Sequence, residues 1–300
     1  MSNAKKVAFI GLGVMGGPMA GHLARAGYQV VGYNRTTARA TAWRDKCAAE
    51  GLGVTIADSP QEAVAGCAAV FACLGNDDDV ESVMLKDGKA LLAMDEGATY
   101  VDHTTISPAA ARRIASAPGV SGRIHCLDAP VSGGQAGAEN GTLSIMCGGT
   151  NLALKHASPF MERYAARIVH VGGDGAGQAA KAVNQVCIAG VLAGLSEGIR
   201  LAQAMELDTD KVLEAISGGA AQSWQMDNRW ATMVKDEFDF GFAVDWMRKD
   251  LAIALEEGGK RGMDLSITTQ VDQFYADVQA AGGSRCDTSS LITRLAKPRL

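Results

Sequence analysis

Lys6-Val7-Ala8-Phe9-Ile10 runs directly into Gly11-Leu12-Gly13-Val14-Met15-Gly16, and this junction decides how the chain folds. Val7, Phe9 and Ile10 predict a buried strand over Lys6–Ile10. The six residues after it match Gly-x-Gly-x-x-Gly; Val14 to Ala26 then predicts a helix and Gln29 to Tyr33 a second strand. In such a turn the first glycine allows the tight bend, the second lets backbone approach a pyrophosphate, and the third lets helix pack against strand. The pyrophosphate meets the positive end of the helix. The glycine pattern is weak by itself and gains its force from the strand–turn–helix–strand context. Gly11, Leu12, Gly13, Val14, Met15 and Gly16 are therefore the first predicted cofactor-binding residues.

The second strand ends in Tyr33-Asn34-Arg35-Thr36. An NAD-selective site commonly offers a carboxylate here to the ribose hydroxyls. Asn34 is neutral and Arg35 cationic, Thr36 adds a hydroxyl, and Arg39 follows one helical turn on. A guanidinium can make charge-assisted hydrogen bonds to a 2′-phosphate that a carboxylate would repel. Asn34, Arg35 and Thr36 predict NADP rather than NAD.

Outward from this stretch, strands and helices alternate. Ser59-Pro60-Gln61-Glu62 and Ser107-Pro108 carry helix-start signals. Strands are expected over Ala68–Leu74, Thr99–Asp102, Gly122–Leu127, Leu143–Gly148 and Ile168–Val171. Such alternation implies an α/β fold, a mostly parallel, doubly wound sheet with both faces covered. After Gly172-Gly173-Asp174-Gly175-Ala176-Gly177 the chain reads as helical, with helices expected over Gln178–Met205, Asp208–Ser217, Phe242–Gly258 and Asp264–Ala281. The boundary is placed at Gly173, giving a nucleotide-binding domain over 1–173 and a helical substrate and dimerisation domain over 174–300.

Composition narrows the function classes. The chain has 300 residues, a formal net charge of −5 and a 47% hydrophobic share. No basic excess is present to neutralise nucleic-acid phosphates. No apolar run approaches the ~20 residues of a membrane span, and the start at Met1-Ser2-Asn3-Ala4 lacks the long apolar stretch of a signal peptide. Seven widely spaced cysteines suggest reduced thiols in a cytoplasmic protein. The five histidines show no metal-ligand spacing, so no metal is expected.

Four blocks in this order resemble the 3-hydroxyacid dehydrogenase family, which includes 3-hydroxyisobutyrate dehydrogenases and several semialdehyde reductases. They are Phe9–Gly16, Asp128-Ala129-Pro130-Val131-Ser132-Gly133-Gly134, Gly175-Ala176-Gly177-Gln178-Ala179-Ala180-Lys181-Ala182-Val183-Asn184, and Lys249-Asp250-Leu251. The resemblance spans nearly the whole chain. It implies a Rossmann domain joined by a long interdomain helix to an all-helical C-terminal domain, and a homodimer or homotetramer. It implies a catalytic lysine at Lys181 and a substrate carboxylate held by Ser132, Gly133 and Gly134. It further implies that Thr104 and Thr105 lie toward the nicotinamide and that Leu74 and Lys249 lie near the cofactor.

The residues themselves support parts of this. A lysine can act as general acid–base when burial or a neighbouring cation lowers its pKa. Asn184, three residues after Lys181, shares its helix face and can bind substrate or orient the lysine without adding charge. Ser132-Gly133-Gly134 offers a hydroxyl and unshielded backbone N–H groups to a carboxylate. Trp224 and Phe240 could line a pocket or simply pack in the core. The leading expectation is an NADP(H)-preferring hydroxyacid dehydrogenase or semialdehyde reductase acting on a small carboxylate-bearing substrate. Two alternatives stand beside it. One is an imine reductase-like enzyme on the same scaffold, against which Lys181 argues; the other is a non-catalytic dinucleotide-binding redox sensor.

Overall fold

A computed structural model describes residues 5–297 of the protein, so Met1–Ala4 lie outside the described residues. The chain forms two compact units, Met1–Lys181 and Ala182–Leu300.

In the first unit, β1 (Lys6–Ile10) is followed by α1 (Gly16–Arg25), β2 (Gln29–Tyr33), α2 (Thr37–Ala49) and β3 (Val54–Ile56). Then come α3 (Pro60–Val64), β4 (Ala69–Ala72), α4 (Asp77–Glu81), α5 (Ala90–Ala93), β5 (Thr99–Asp102) and α6 (Pro108–Ala115). The unit continues through β6 (His125–Asp128), β7 (Val131–Ser132), α7 (Gly134–Asn140), β8 (Leu143–Gly149), α8 (Asn151–Met161) and β9 (Ala165–Gly172).

The sheet order is β3-β2-β1-β4-β5-β6-β8-β7, with β9 also on β8. Strands β1 to β6 pair in parallel, whereas β8 runs antiparallel to β6 and β7. The order reverses between β2 and β4 on either side of β1, the switch point at which doubly wound folds bind ligands beyond the strand ends. Val7 and Phe9 enter one core layer and Ala8 and Ile10 the opposite one. A strand buried on both faces has no need for polar alternation, which is why β1 and β4 read as continuous apolar runs.

The expected helix starts are built as their residues suggest. Ser59 Oγ accepts from the Glu62 N–H with Pro60 at the first position. Ser107 Oγ accepts from the Ala110 N–H with Pro108 in the same place. Several elements were not expected from the sequence: β3, α4, α5, β7, α7 and α8. Of these α8 did carry a signal, Thr150, whose hydroxyl accepts from the Ala153 N–H.

The helix α9 (Ala176–Ala204) carries the chain from one unit into the other. By length and composition it is apolar enough to cross a membrane, which corrects the expectation that no segment approaches that length. Its Ala189, Leu192, Leu195 and Ile199 belong to the second unit's core. There they join Trp230 and Met233 of α11 (Trp224–Lys235), which follows α10 (Thr209–Ile216). Met247 and Leu251 of α12 (Val244–Gly259) and Val271 and Tyr275 of α13 (Ser266–Ala280) complete the cluster. Helix α11 was missed from sequence, although Ser223 caps it by accepting from the Met226 N–H.

Candidate active site

The glycine turn shows three different reasons for lacking side chains. Gly11 has φ +95°, and a Cβ there would collide with the Cys73 carbonyl oxygen of the neighbouring strand end. A Cβ on Gly16 would collide with the Gly11 carbonyl oxygen and stand 2.9 Å from the Phe9 ring. A Cβ on Gly13 would meet no protein atom within 4 Å. The first and third glycines therefore serve the fold, and the second keeps open the face on which an anion can approach the start of α1. This cradle fits a dinucleotide pyrophosphate.

Asn34 braces the turn from β2. Its Oδ1 accepts from the Leu12 N–H at 3.0 Å, and its Nδ2 donates to the Thr36 carbonyl. Arg35 extends outward with its side chain 79% exposed and pairs with Asp79 of α4 at 2.9 Å. Thr36 precedes α2 but makes no side-chain capping bond to it. Two residues absent from the sequence reading support the same turn. Trp43 donates its ring N–H to the Gly17 carbonyl, and a Cβ on Gly32 would meet the Trp43 ring at 2.7 Å. A lone tryptophan in a polar helix gives no sequence signal for this role.

The ends of β4 and β5 are tied by Thr104. Its hydroxyl accepts from the Leu74 N–H at 2.9 Å and its own N–H donates to Asp102 Oδ1 at 2.9 Å. Leu74, Thr104 and Thr105 are thus brought together. Asp102 is buried, and burial raises its pKa to about 6 against the lowering effect of the Thr104 bonds. His103, also buried, bridges the Ala129 carbonyl and the Tyr164 hydroxyl. Nδ1 must donate to the carbonyl, so Nε2 accepts from Tyr164, and burial holds the ring neutral with a pKa lowered to about 4.

Beyond β6 the chain turns into β7 and then through Gly133 and Gly134, whose φ angles are +132° and +61°. Both lie where side chains other than glycine's are strained. A Cβ on Gly134 would meet nothing within 4 Å, so that backbone is open to a ligand. Lys181 reaches this segment. It is 8% exposed and its Nζ donates to the Val131 carbonyl at 2.9 Å, next to Ser132. An ammonium beside a hydroxyl and two open glycine peptides can hold a carboxylate and exchange a proton with an adjacent oxygen.

The other two candidates lie in the second unit. Asn184 Nδ2 donates to Gln185 Oε1 at 2.7 Å, Gln185 Nε2 donates to Asp250 Oδ2 at 2.7 Å, and Lys249 Nζ lies 3.1 Å from Asp250 Oδ1. Asn184 and Lys249 are therefore joined through Gln185 and Asp250, both fully or nearly fully buried. Sequence reasoning passed over Gln185 because a glutamine inside an apolar helix announces nothing until its partner is known. Trp224 and Phe240 both flank the Arg229 guanidinium, at 5.1 and 4.7 Å from their ring centres, and Arg229 pairs with the buried Asp287.

With this geometry in hand, the chain can be compared with known proteins. Residues 6–172 match a family described as the NAD-binding domain of 6-phosphogluconate dehydrogenase. Residues 175–295 match one described as "NAD-binding of NADP-dependent 3-hydroxyisobutyrate dehydrogenase". An uncharacterised oxidoreductase of Shewanella frigidimarina is 52% identical over 98% of this chain and 99% of the relative. A probable 3-hydroxyisobutyrate dehydrogenase-like protein of Arabidopsis thaliana is 39% identical over 97% of this chain and 85% of the relative. A solved Mycobacterium tuberculosis 3-hydroxyisobutyrate dehydrogenase with L-serine superposes with TM-score 0.85 at 31% identity, covering 97% of this chain and 99% of that one.

Proposed function

Because the chain belongs to the 3-hydroxyacid dehydrogenase family, and is an oxidoreductase acting on CH–OH groups, we propose that it prefers NADP(H) and uses Lys181 as its general acid–base. The observation that carries this reading is the burial of Lys181 with its ammonium against the strand that leads into Ser132-Gly133-Gly134. The glycine turn would hold the pyrophosphate of a dinucleotide, whose nicotinamide would supply or accept the hydride. Ser132 and the peptides of Gly133 and Gly134 hold the substrate carboxylate, and this fixes the hydroxyl or carbonyl oxygen beside Lys181. In reduction Lys181 gives its proton to the carbonyl oxygen; in oxidation it takes the proton from the hydroxyl. Asn184 orients this exchange, and Leu74, Thr105 and Lys249 contribute to the cofactor's surroundings.

The cofactor preference rests on Asn34-Arg35-Thr36. Asn34 is engaged with the turn, whereas Arg35 projects outward beside a Thr36 hydroxyl that its helix does not use. That pair suits a 2′-phosphate. Oligomerisation is proposed on the exposed apolar residues Val183, Val191 and Leu201 of α9 and Met205 just beyond its end, which a second copy would cover.

The test is turnover with NADP and NAD against small 3- and 4-hydroxy acids, and with NADPH and NADH against the corresponding semialdehydes. Faster turnover with NADP supports both parts of the proposal. Binding of NADPH without turnover of any substrate would favour the redox-sensor alternative, and turnover only of ketone-plus-amine mixtures would favour imine reduction.

A further inference from the structure

Three segments that the proposed chemistry brings into play meet at one residue that it leaves unused, Gln178. It lies in the first turn of α9, three residues before Lys181, and is 1% exposed. Its backbone N–H donates to Asp128 Oδ2 at 2.9 Å, while Asp128 Oδ1 accepts from the Gly175 N–H at 2.7 Å. The Asp128 carboxylate thus satisfies N–H groups at the start of α9 that no helical carbonyl can reach. It also places negative charge at the positive end of the helix. The side-chain amide of Gln178 faces the other way. Nε2 donates to the Thr104 carbonyl at 2.7 Å and Oε1 accepts from the Ile106 N–H at 3.1 Å. Both peptide groups flanking Thr105 are therefore clamped by a single amide.

We infer that Gln178 is a positioning residue, whose amide fixes the Thr104–Ile106 loop at a set distance from the Lys181 ammonium. The inference rests on the general acid–base reading of Lys181. Gln178 and Lys181 are one helical step apart, a rise of about 4.5 Å. A loop tied to Gln178 and an ammonium tied to Val131 then move as one body, with Asp128 linking the helix start to the strand that leads into Ser132. The fit of the glycines supports this use. A Cβ on Gly177 would collide with the Met146 carbonyl, and one on Gly148 would stand 2.6 Å from Asp128 Oδ1. Helix α9 can come close enough for Asp128 to reach it only because those side chains are missing. Hydride transfer depends steeply on such distances, and a displacement of about 1 Å can cost about 100-fold in rate.

Two variants test the inference. Gln178→Met keeps the length of the side chain and removes both hydrogen bonds. Gln178→Glu keeps the acceptor for Ile106, and only its protonated form can donate to Thr104. In both, kcat for semialdehyde reduction should fall about 10- to 100-fold while KM for NADPH stays within about threefold. The isotope effect with C4-dideuterated NADPH should rise, because hydride transfer becomes slower relative to binding and release. The Gln178→Glu defect should shrink as pH falls and the introduced carboxyl takes up a proton. In the cofactor-free protein, hydrogen exchange at Ile106 should accelerate in Gln178→Met. A purely structural role would lower the fraction of active molecules and leave the isotope effect unchanged, and that result would overturn the inference. Parent-like kcat and isotope effect in both variants, with Lys181→Met inactive, would also overturn it while leaving the Lys181 reading intact. Full activity in Lys181→Met would instead remove the reading on which it rests.

Discussion

Arg35 Nη1 lies 2.9 Å from Asp79 Oδ1, so the cation assigned to a 2′-phosphate already has a carboxylate partner. The arginine side chain is largely exposed, and exposed pairs contribute about 0–1 kcal/mol. A bound 2′-phosphate would share the guanidinium with Asp79 and be repelled by it. Asp79→Asn should therefore tighten NADPH binding by roughly two- to fivefold, with little change for NADH. Arg35→Ala should weaken NADPH by about tenfold or more, the loss of a charge-assisted hydrogen bond. Fluorescence titration of both cofactors reads each effect; equal changes for NADPH and NADH would contradict the assignment of Arg35.

Lys181→Ala should lower turnover by about 100-fold or more, in the range of general acid–base contributions. NADPH affinity should be retained, since the glycine turn is built without the lysine. Steady-state rates and cofactor titration on the same preparation separate the two effects, and near-parent turnover would remove Lys181 from the chemistry.

Gly13 and Gly16 should respond oppositely to one added methyl group. Gly13→Ala meets no protein atom, so thermal stability should hold while NADPH affinity falls by roughly tenfold or more for want of a close pyrophosphate contact. Gly16→Ala drives a methyl into the Gly11 carbonyl, an overpacking expected to cost about 1–3 kcal/mol. Its melting temperature should drop even without cofactor. Thermal melts with and without NADPH test the pair.

Asp102 makes stability depend on pH. Its Oδ2 finds no hydrogen-bond partner among the described residues, and burial raises its pKa to about 6. The folded value lies above the unfolded value of about 3.9. The stability from the protonated form is complete below about pH 4 and is lost as pH rises through about 6. Asp102→Asn, which can still accept from the Thr104 N–H, should stabilise the protein at pH 8 by on the order of 2 kcal/mol. The gain should vanish near pH 4. Melting curves across this range check the sign, and a gain that persists at pH 4 would contradict it.

Much of this molecule is legible in one dimension because its decisive features are local. Lys6–Ile10 reads as a strand buried on both faces, the glycines that follow it read as a tight turn of close approach with positive φ at Gly11, and Ser59-Pro60 and Ser107-Pro108 mark helices by chemistry contained within four residues. The basic Asn34-Arg35-Thr36 corner can be picked out for the same reason, whereas Lys181 stands out only through the resemblance of its block to a family. What tertiary structure decided are relationships between residues far apart in the chain. Asp79 neutralises Arg35 across 44 positions, and Gln178 clamps a loop 74 positions away. Gln185 joins Asn184 to Asp250 and Lys249, and Trp43 closes over the glycine turn. A polar side chain carries no mark of its partner until the backbone delivers one to within about 3 Å. A buried glutamine and a surface glutamine therefore read alike in sequence, and only packing separates them.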